Sequence, residues 1–65
     1  MKSKLTDKQE RFVSEYLIDL NATQATIRAG YSENCASETG YENLRKPQIA
    51  DAIAIAKRDA AKRNE

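Results

Sequence analysis

The sequence predicts a single all-α domain of four helices, and three observations carry this prediction. The chain has 65 residues, which allows at most one domain. It contains only two glycines and one proline, too few for a turn-rich β fold. Its long stretches rich in Ala, Glu, Lys, Gln and Leu are typical of helices. Because so short a chain buries only about 60% of its unfolded surface, its stability should depend on every buried apolar side chain.

The first helix is predicted over about residues 7–20. Thr6 is a favourable N-cap, and Gln9 follows three residues later, as a capping box requires. The apolar residues that recur at helical spacing, and so should face the core, are Phe12, Val13, Tyr16, Leu17 and Leu20. Ile18 lies off this stripe. It is either a scattered surface residue or a contact to something outside the chain.

The second helix is predicted over about residues 22–29, with Asn21 as its N-cap. Its face of small side chains consists of Ala22, Ala25, Thr26 and Ala29. Gly30 should end the helix by adopting the left-handed conformation just after it.

The third helix is predicted over about residues 33–44, with Ser32 as its cap. It should end near Arg45, because Pro47 disfavours helical geometry at the residue before it. Gly40 lies in mid-helix, where glycine costs about 1 kcal/mol relative to alanine. We interpret it as a position of close packing against helix one or helix four.

The fourth helix is predicted over about residues 48–61, and Pro47 suits its first turn. The residues that line one face of this helix are Ile49, Ile53, Ala56 and Ala60.

The connection between the second and third helices has only three residues, Gly30, Tyr31 and Ser32. Two short helices joined by such a glycine-containing turn, and braced by a longer apolar helix, are typical of a helix-turn-helix. Tyr31 can pin the turn to the core. In this motif the second of the two helices enters the major groove of DNA. A three-helix bundle unrelated to nucleic acid is the alternative, since fold does not fix function.

The composition excludes most catalytic chemistry. The chain has no histidine, which removes the usual general base and the usual zinc ligand. Cys35 is the only cysteine, so it can form neither an intramolecular disulfide nor a cysteine-based zinc site. We interpret it as a small buried or half-buried hydrophobe. No segment resembles a membrane span or a signal peptide. The sequence predicts a soluble, cytoplasmic protein that is not an enzyme and has no cofactor, metal or membrane partner.

The formal net charge is only +1, but the charges are unevenly placed. Residues 22–44 carry one basic residue, Arg28, and three glutamates, which would repel DNA phosphates. Attraction should therefore come from the basic tail and from the basic residues at the helix ends, which are Arg28, Arg45 and Lys46. The sequence leaves open whether the basic residues of the last helix contact DNA or only solvate it; these are Lys57, Arg58, Lys62 and Arg63. We expect weak, strongly salt-dependent DNA binding.

Two segments carry a family resemblance: LTDKQERFVSEYLIDLNATQATIRAGYS from Leu5 to Ser32, and LRKP from Leu44 to Pro47. They resemble the N-terminal domain of the terminase small subunit of tailed, double-stranded-DNA bacteriophages, especially of headful-packaging phages. The resemblance implies that the protein binds the packaging-initiation site on viral DNA in the host cell cytoplasm. It also implies delivery of this DNA to the large terminase subunit, an ATPase and nuclease, during virion assembly.

The same resemblance implies assembly into a ring through a central domain downstream. Because the sequence stops at Glu65, we expect that domain to be absent and the isolated domain to be monomeric. Thr26 stands where such sequences often have alanine, a tolerable change if its hydroxyl bonds back to the helix.

The third helix should supply the base contacts, by analogy with the fold. Its candidates are Ser32, Asn34, Ser37, Glu38 and Tyr41. Asn43 is a further polar candidate, and a glutamate can accept a hydrogen bond from cytosine N4. Two alternative functions stay open. One is a transcriptional or transposase-type helix-turn-helix domain, and the other is a protein-interaction module that contacts the packaging motor.

Overall fold

The computed structural model describes the backbone of residues 5–63 and the side chains of residues 5–59. The chain forms α1 (Asp7–Asp19), α2 (Ala22–Arg28), α3 (Ala36–Arg45) and α4 (Pro47–Arg63), and a 3₁₀ turn over Glu33–Cys35 precedes α3. No strand occurs within residues 5–63. The predicted all-α class is confirmed.

The capping box at the start of α1 is complete. The Thr6 hydroxyl accepts a hydrogen bond from the Gln9 N–H at 3.2 Å, and the Gln9 side chain accepts one from the Thr6 N–H at 3.0 Å. The other end differs from the prediction. Helix α1 stops at Asp19, and Leu20 has a φ of 57°, in the left-handed region. This backbone turns Leu20 off the apolar stripe, and its side chain is 57% exposed rather than buried.

Helix α2 begins and ends close to the predicted positions. The Asn21 side chain accepts a hydrogen bond from the Gln24 N–H at 3.1 Å. At the other end Gly30 has a φ of 102°, the left-handed conformation expected of it. The following Tyr31 N–H donates to the carbonyl of Thr26 at 3.2 Å, which closes the turn back onto α2. Tyr31 itself is half-buried and packs against the core.

The predicted third helix differs at its start. Residues 33–35 form a 3₁₀ turn rather than the first turn of an α-helix, and the Ser32 hydroxyl accepts a hydrogen bond from the Asn34 N–H at 3.3 Å. A cap that bonds two residues ahead favours this tighter winding. Helix α3 then continues to Arg45. Lys46 is extended, with φ −73° and ψ 127°, as expected of a residue before proline.

The core joins α1, α2 and α4. Its buried apolar side chains are Phe12, Val13, Ala25, Ala29, Ile49 and Ile53. Helix α3 closes over this cluster with Leu44 half-buried against it. The predicted role of Ala60 lies outside the described side chains. No helix within the described part of the chain is long and apolar enough to cross a membrane.

Helix α3 packs closely on α2 at Gly40. A Cβ placed on Gly40 would lie 2.9 Å from the carbonyl oxygen of Ala22 and 3.0 Å from the hydroxyl of Thr26. The interpretation that Gly40 packs against helix one or four is therefore wrong, because its neighbour is α2. The Thr26 hydroxyl donates to the Ala22 carbonyl at 2.7 Å, so the threonine does bond back to its own helix. This close crossing fixes α3 on α2.

Candidate nucleic-acid interface

Five of the six predicted base-contacting residues lie exposed on or just before α3. Ser37, Glu38 and Tyr41 share one face of the helix, and Tyr41 is 64% exposed. Ser32 and Asn34 are exposed in the turn that leads into it. The opposite face of α3 is the buried one. Helix α3 therefore presents a continuous polar surface to solvent.

Asn43 does not belong to this surface. Its side chain is only 1% exposed and lies on the buried face of α3 with Ala36 and Gly40. The interpretation of Asn43 as a base-reading residue is wrong for that reason. Its side-chain amide nitrogen has no hydrogen-bond partner within the described residues.

The exposed surface of α3 and the preceding turn is acidic. Glu33, Glu38 and Glu42 are all exposed, and the basic residue of α3 is Arg45 in its last turn. These three carboxylates oppose the approach of DNA phosphates to this surface. Any attraction for DNA must therefore come from the edge of this surface rather than from its centre.

The predicted phosphate contacts lie in three different places. Arg45 is exposed and Lys46 half-buried at the junction of α3 and α4. Lys57 and Arg58 are exposed farther along α4. The predicted contributions of Lys62 and Arg63 lie outside the described side chains.

Arg28 has partners within the chain. Its guanidinium contacts the Glu15 carboxylate at 2.7 Å and the Asp19 carboxylate at 3.3 Å, and it donates to the Glu15 backbone carbonyl at 3.0 Å. Arg11 approaches the other oxygen of Glu15 at 3.2 Å. Arg28 therefore ties α2 to α1. A DNA contact by Arg28 stays a prediction, and it would compete with these bonds.

These bonds shift the ionisation of the carboxylates. Hydrogen bonding to Arg28, and then to Arg11, holds the pKa of Glu15 below its ordinary value. Hydrogen bonding to Arg28 also lowers the pKa of Asp19, while Glu15 and Asp19 raise the pKa of Arg28. A carboxylate with a lowered pKa in the folded state stabilises the fold above the ordinary carboxyl range, and this contribution is lost as pH falls through the lowered pKa.

We therefore expect the melting temperature of the chain to fall with pH below about 4, where Glu15 and Asp19 become protonated and release Arg28. Thermal unfolding followed by circular dichroism between about pH 7 and pH 3 measures this. The variant Arg28→Gln should melt lower at neutral pH and show a shallower acid dependence. An equally steep acid dependence in Arg28→Gln would contradict the role given to Arg28.

Two features near the turn were missed by sequence reasoning. The Lys8 ammonium lies 5.3 Å from the centre of the Tyr31 ring, in cation–π geometry, and so adds a basic group beside the turn. No local sequence signal predicts this contact, because it joins α1 to a distant loop. Cys35 is exposed, so its interpretation as a buried hydrophobe is wrong. Within the described residues, no three His, Cys, Asp or Glu side chains form a metal-binding group.

Comparison with known proteins gives a consistent result. Residues 5–65 match the family model described as terminase small subunit. The chain is 64% identical over 51 residues to the terminase small subunit of Bacillus phage SF6, which covers 77% of this chain and 35% of that protein. It is 52% identical over 54 residues to the terminase small subunit of Bacillus phage SPP1, covering 82% of this chain and 37% of the relative. The PBSX phage terminase small subunit of Bacillus subtilis (strain 168) is 36% identical to this chain over 55 residues. The matched residues make up 85% of this chain and 21% of that protein. The chain thus spans about a third of the length of the first two relatives.

Proposed function

Because this chain belongs to the terminase small subunit family, we propose that it binds double-stranded viral DNA at the packaging-initiation site. In this proposal the bound DNA is delivered to the large terminase subunit in the cytoplasm of the host cell. The observation that carries the proposal is the exposed polar face of α3, held on α2 by the close crossing at Gly40. No catalytic step is assigned to this chain.

In this proposal α3 lies in the major groove and fixes the position of the protein along the base sequence. Ser37 and Asn34 carry groups that hydrogen-bond to base edges, and Glu38 can accept from cytosine N4. Tyr41 offers an exposed ring for apolar contact with bases. Because this face is acidic, we expect α3 to contribute more to the discrimination between DNA sequences than to the binding affinity.

The affinity comes from Arg45 and Lys46, which flank the acidic face at its C-terminal end. Two cations give only a low affinity for DNA, and this affinity should fall steeply as the salt concentration rises. Several copies in a ring, assembled through a downstream domain, would convert this weak contact into tight binding through effective concentration.

The double variant Arg45→Ala with Lys46→Ala is expected to bind a labelled duplex more weakly and with a shallower salt dependence. Each lost phosphate contact makes the slope of log K against log salt less negative by about 0.9. Fluorescence anisotropy at about 50 mM and about 200 mM salt measures both quantities. The matched control, Lys57→Ala with Arg58→Ala, removes the same charge from α4 and should change the slope less. An unchanged affinity and slope in the Arg45–Lys46 variant would contradict the proposal.

The acidic surface supports a second candidate, a module that contacts a basic face of the packaging motor. Glu33, Glu38 and Glu42 would pair there with lysines and arginines of the partner. The titration above separates the two functions, because this candidate predicts no DNA binding even at low salt. A transcriptional or transposase-type domain would instead bind a short operator tightly as a dimer.

A further inference from the structure

A shallow crevice separates the C-terminal end of α1 from the middle of α4. Its lining consists of Leu17, Ile18, Asp19, Leu20, Ala56 and Lys57. Two of these residues expose large apolar side chains, since Ile18 is 72% and Leu20 57% exposed. The crevice contains no residue of α3 and neither Arg45 nor Lys46. It shares with the predicted phosphate contacts only Lys57.

Leu20 is poorly suited to its position in an isolated domain. Its φ of 57° lies in the left-handed region, which a residue with a Cβ adopts at a cost and which glycine or asparagine normally fills at a helix end. Exposure of its side chain means that core packing does not require a leucine there. A leucine held in this conformation and turned to solvent indicates an apolar contact made outside the domain.

The charges of the crevice identify the occupant. Asp19 lies on α1 and Lys57 on α4, so one lining carries both an acid and a base. Within the described residues Lys57 has no ion pair, whereas Asp19 binds Arg28 and keeps a 42% exposed side chain. A two-fold axis through the crevice would set each Asp19 against Lys57 of the other copy, with the apolar side chains between them. In that arrangement Lys57 of one copy adds to the bonds that Asp19 of the other already makes with Arg28 and Asn21.

We propose that this crevice is a weak two-fold contact between copies of the chain. The proposal goes beyond DNA binding and does not depend on it. The lining of six residues is far smaller than the roughly 20–30 residues per side of a stable complex. Copies should therefore be monomeric at micromolar concentration. They should pair at millimolar concentration, which is the effective concentration that short flexible tethers create.

The first experiment is an NMR dilution series of the chain from about 2 mM to about 50 μM, a range that brackets the expected pairing. Methyl signals of Ile18, Leu20 and Ala56 should shift with concentration, and the rotational correlation time should rise at the upper end. A chain that stays monomeric at about 2 mM, or shifts centred on Tyr41 of the α3 face, would overturn the proposal.

The second experiment uses variants with opposed expectations. Leu20→Asn should melt at the same or a higher temperature, because asparagine tolerates the left-handed backbone, and yet should abolish pairing. Lys57→Glu should weaken pairing at least several-fold, whereas Arg58→Glu makes the same charge change beside the crevice and should not. The contact would be refuted if Leu20→Asn paired as tightly as the wild type. It would also be refuted if Lys57→Glu and Arg58→Glu weakened pairing equally. DNA titration of Leu20→Asn should match the wild type, which keeps this test independent of the proposed function.

Discussion

Replacing Phe12 with alanine is expected to remove much or all of the free energy of folding. The Phe12 ring is completely buried, and it stacks on Tyr16 with ring centres 5.9 Å apart. Truncation of a buried phenylalanine costs about 3–5 kcal/mol. A domain of this size has a total stability of roughly 3–10 kcal/mol, at about 0.05–0.15 kcal/mol per residue. The loss therefore removes much or all of the folding free energy.

Thermal unfolding followed by circular dichroism measures the effect of Phe12→Ala, which should lower the melting temperature by more than about 10 °C. Tyr41→Ala is the matched control, because it truncates an aromatic side chain that is 64% exposed. It should change the free energy of unfolding by no more than about 0.5 kcal/mol. A small effect of Phe12→Ala would mean that the core does not centre on this ring.

Replacing Gly40 with alanine is expected to destabilise the fold, although the same change in an exposed helix interior stabilises by about 1 kcal/mol. The added Cβ would lie 2.9 Å from the carbonyl oxygen of Ala22, which belongs to the backbone and cannot rotate away. Overpacking of this kind typically costs about 1–3 kcal/mol. Relief of the clash would also move α3 off α2, so DNA affinity should fall with stability.

Urea unfolding gives the free energy change for Gly40→Ala, and the duplex titration gives the change in affinity. Ala54→Gly is the control, because Ala54 is an exposed residue of α4. It measures the ordinary difference in the free energy of unfolding between alanine and glycine in a helix of this protein. If Gly40→Ala stabilises the chain by a similar amount, the helices are not in close contact at this position.

The starts of α1, α2 and α4 could be predicted because capping depends on residues within a few positions of each other. Thr6 with Gln9, Asn21 with Gln24, and Pro47 each act over one helical turn. The end of α1 gave no such signal, since Leu20 is neither glycine nor asparagine. Only the packed structure shows that its backbone becomes left-handed there.

The contacts that set the candidate site could not be predicted, because they join residues far apart in the chain. Arg28 meets Glu15 across a separation of 13 residues, and Lys8 lies over Tyr31 from another element. Asn43 is different. It shares a helical face with Ala36 and Gly40, so their spacing already indicated that it would be buried. The exposed face of α3 follows from the same periodicity.

Lys46 is a single-residue joint between α3 and α4. It caps the end of α3, and its own carbonyl accepts hydrogen bonds from the N–H groups of Ile49 and Ala50 in the first turn of α4. Pro47 further restricts its backbone. No flexible loop therefore separates α4 from α3, and a displacement of α4 would be transmitted directly to α3. If α3 binds DNA as proposed, the direction of α4 fixes the direction in which the rest of the protein leaves the DNA.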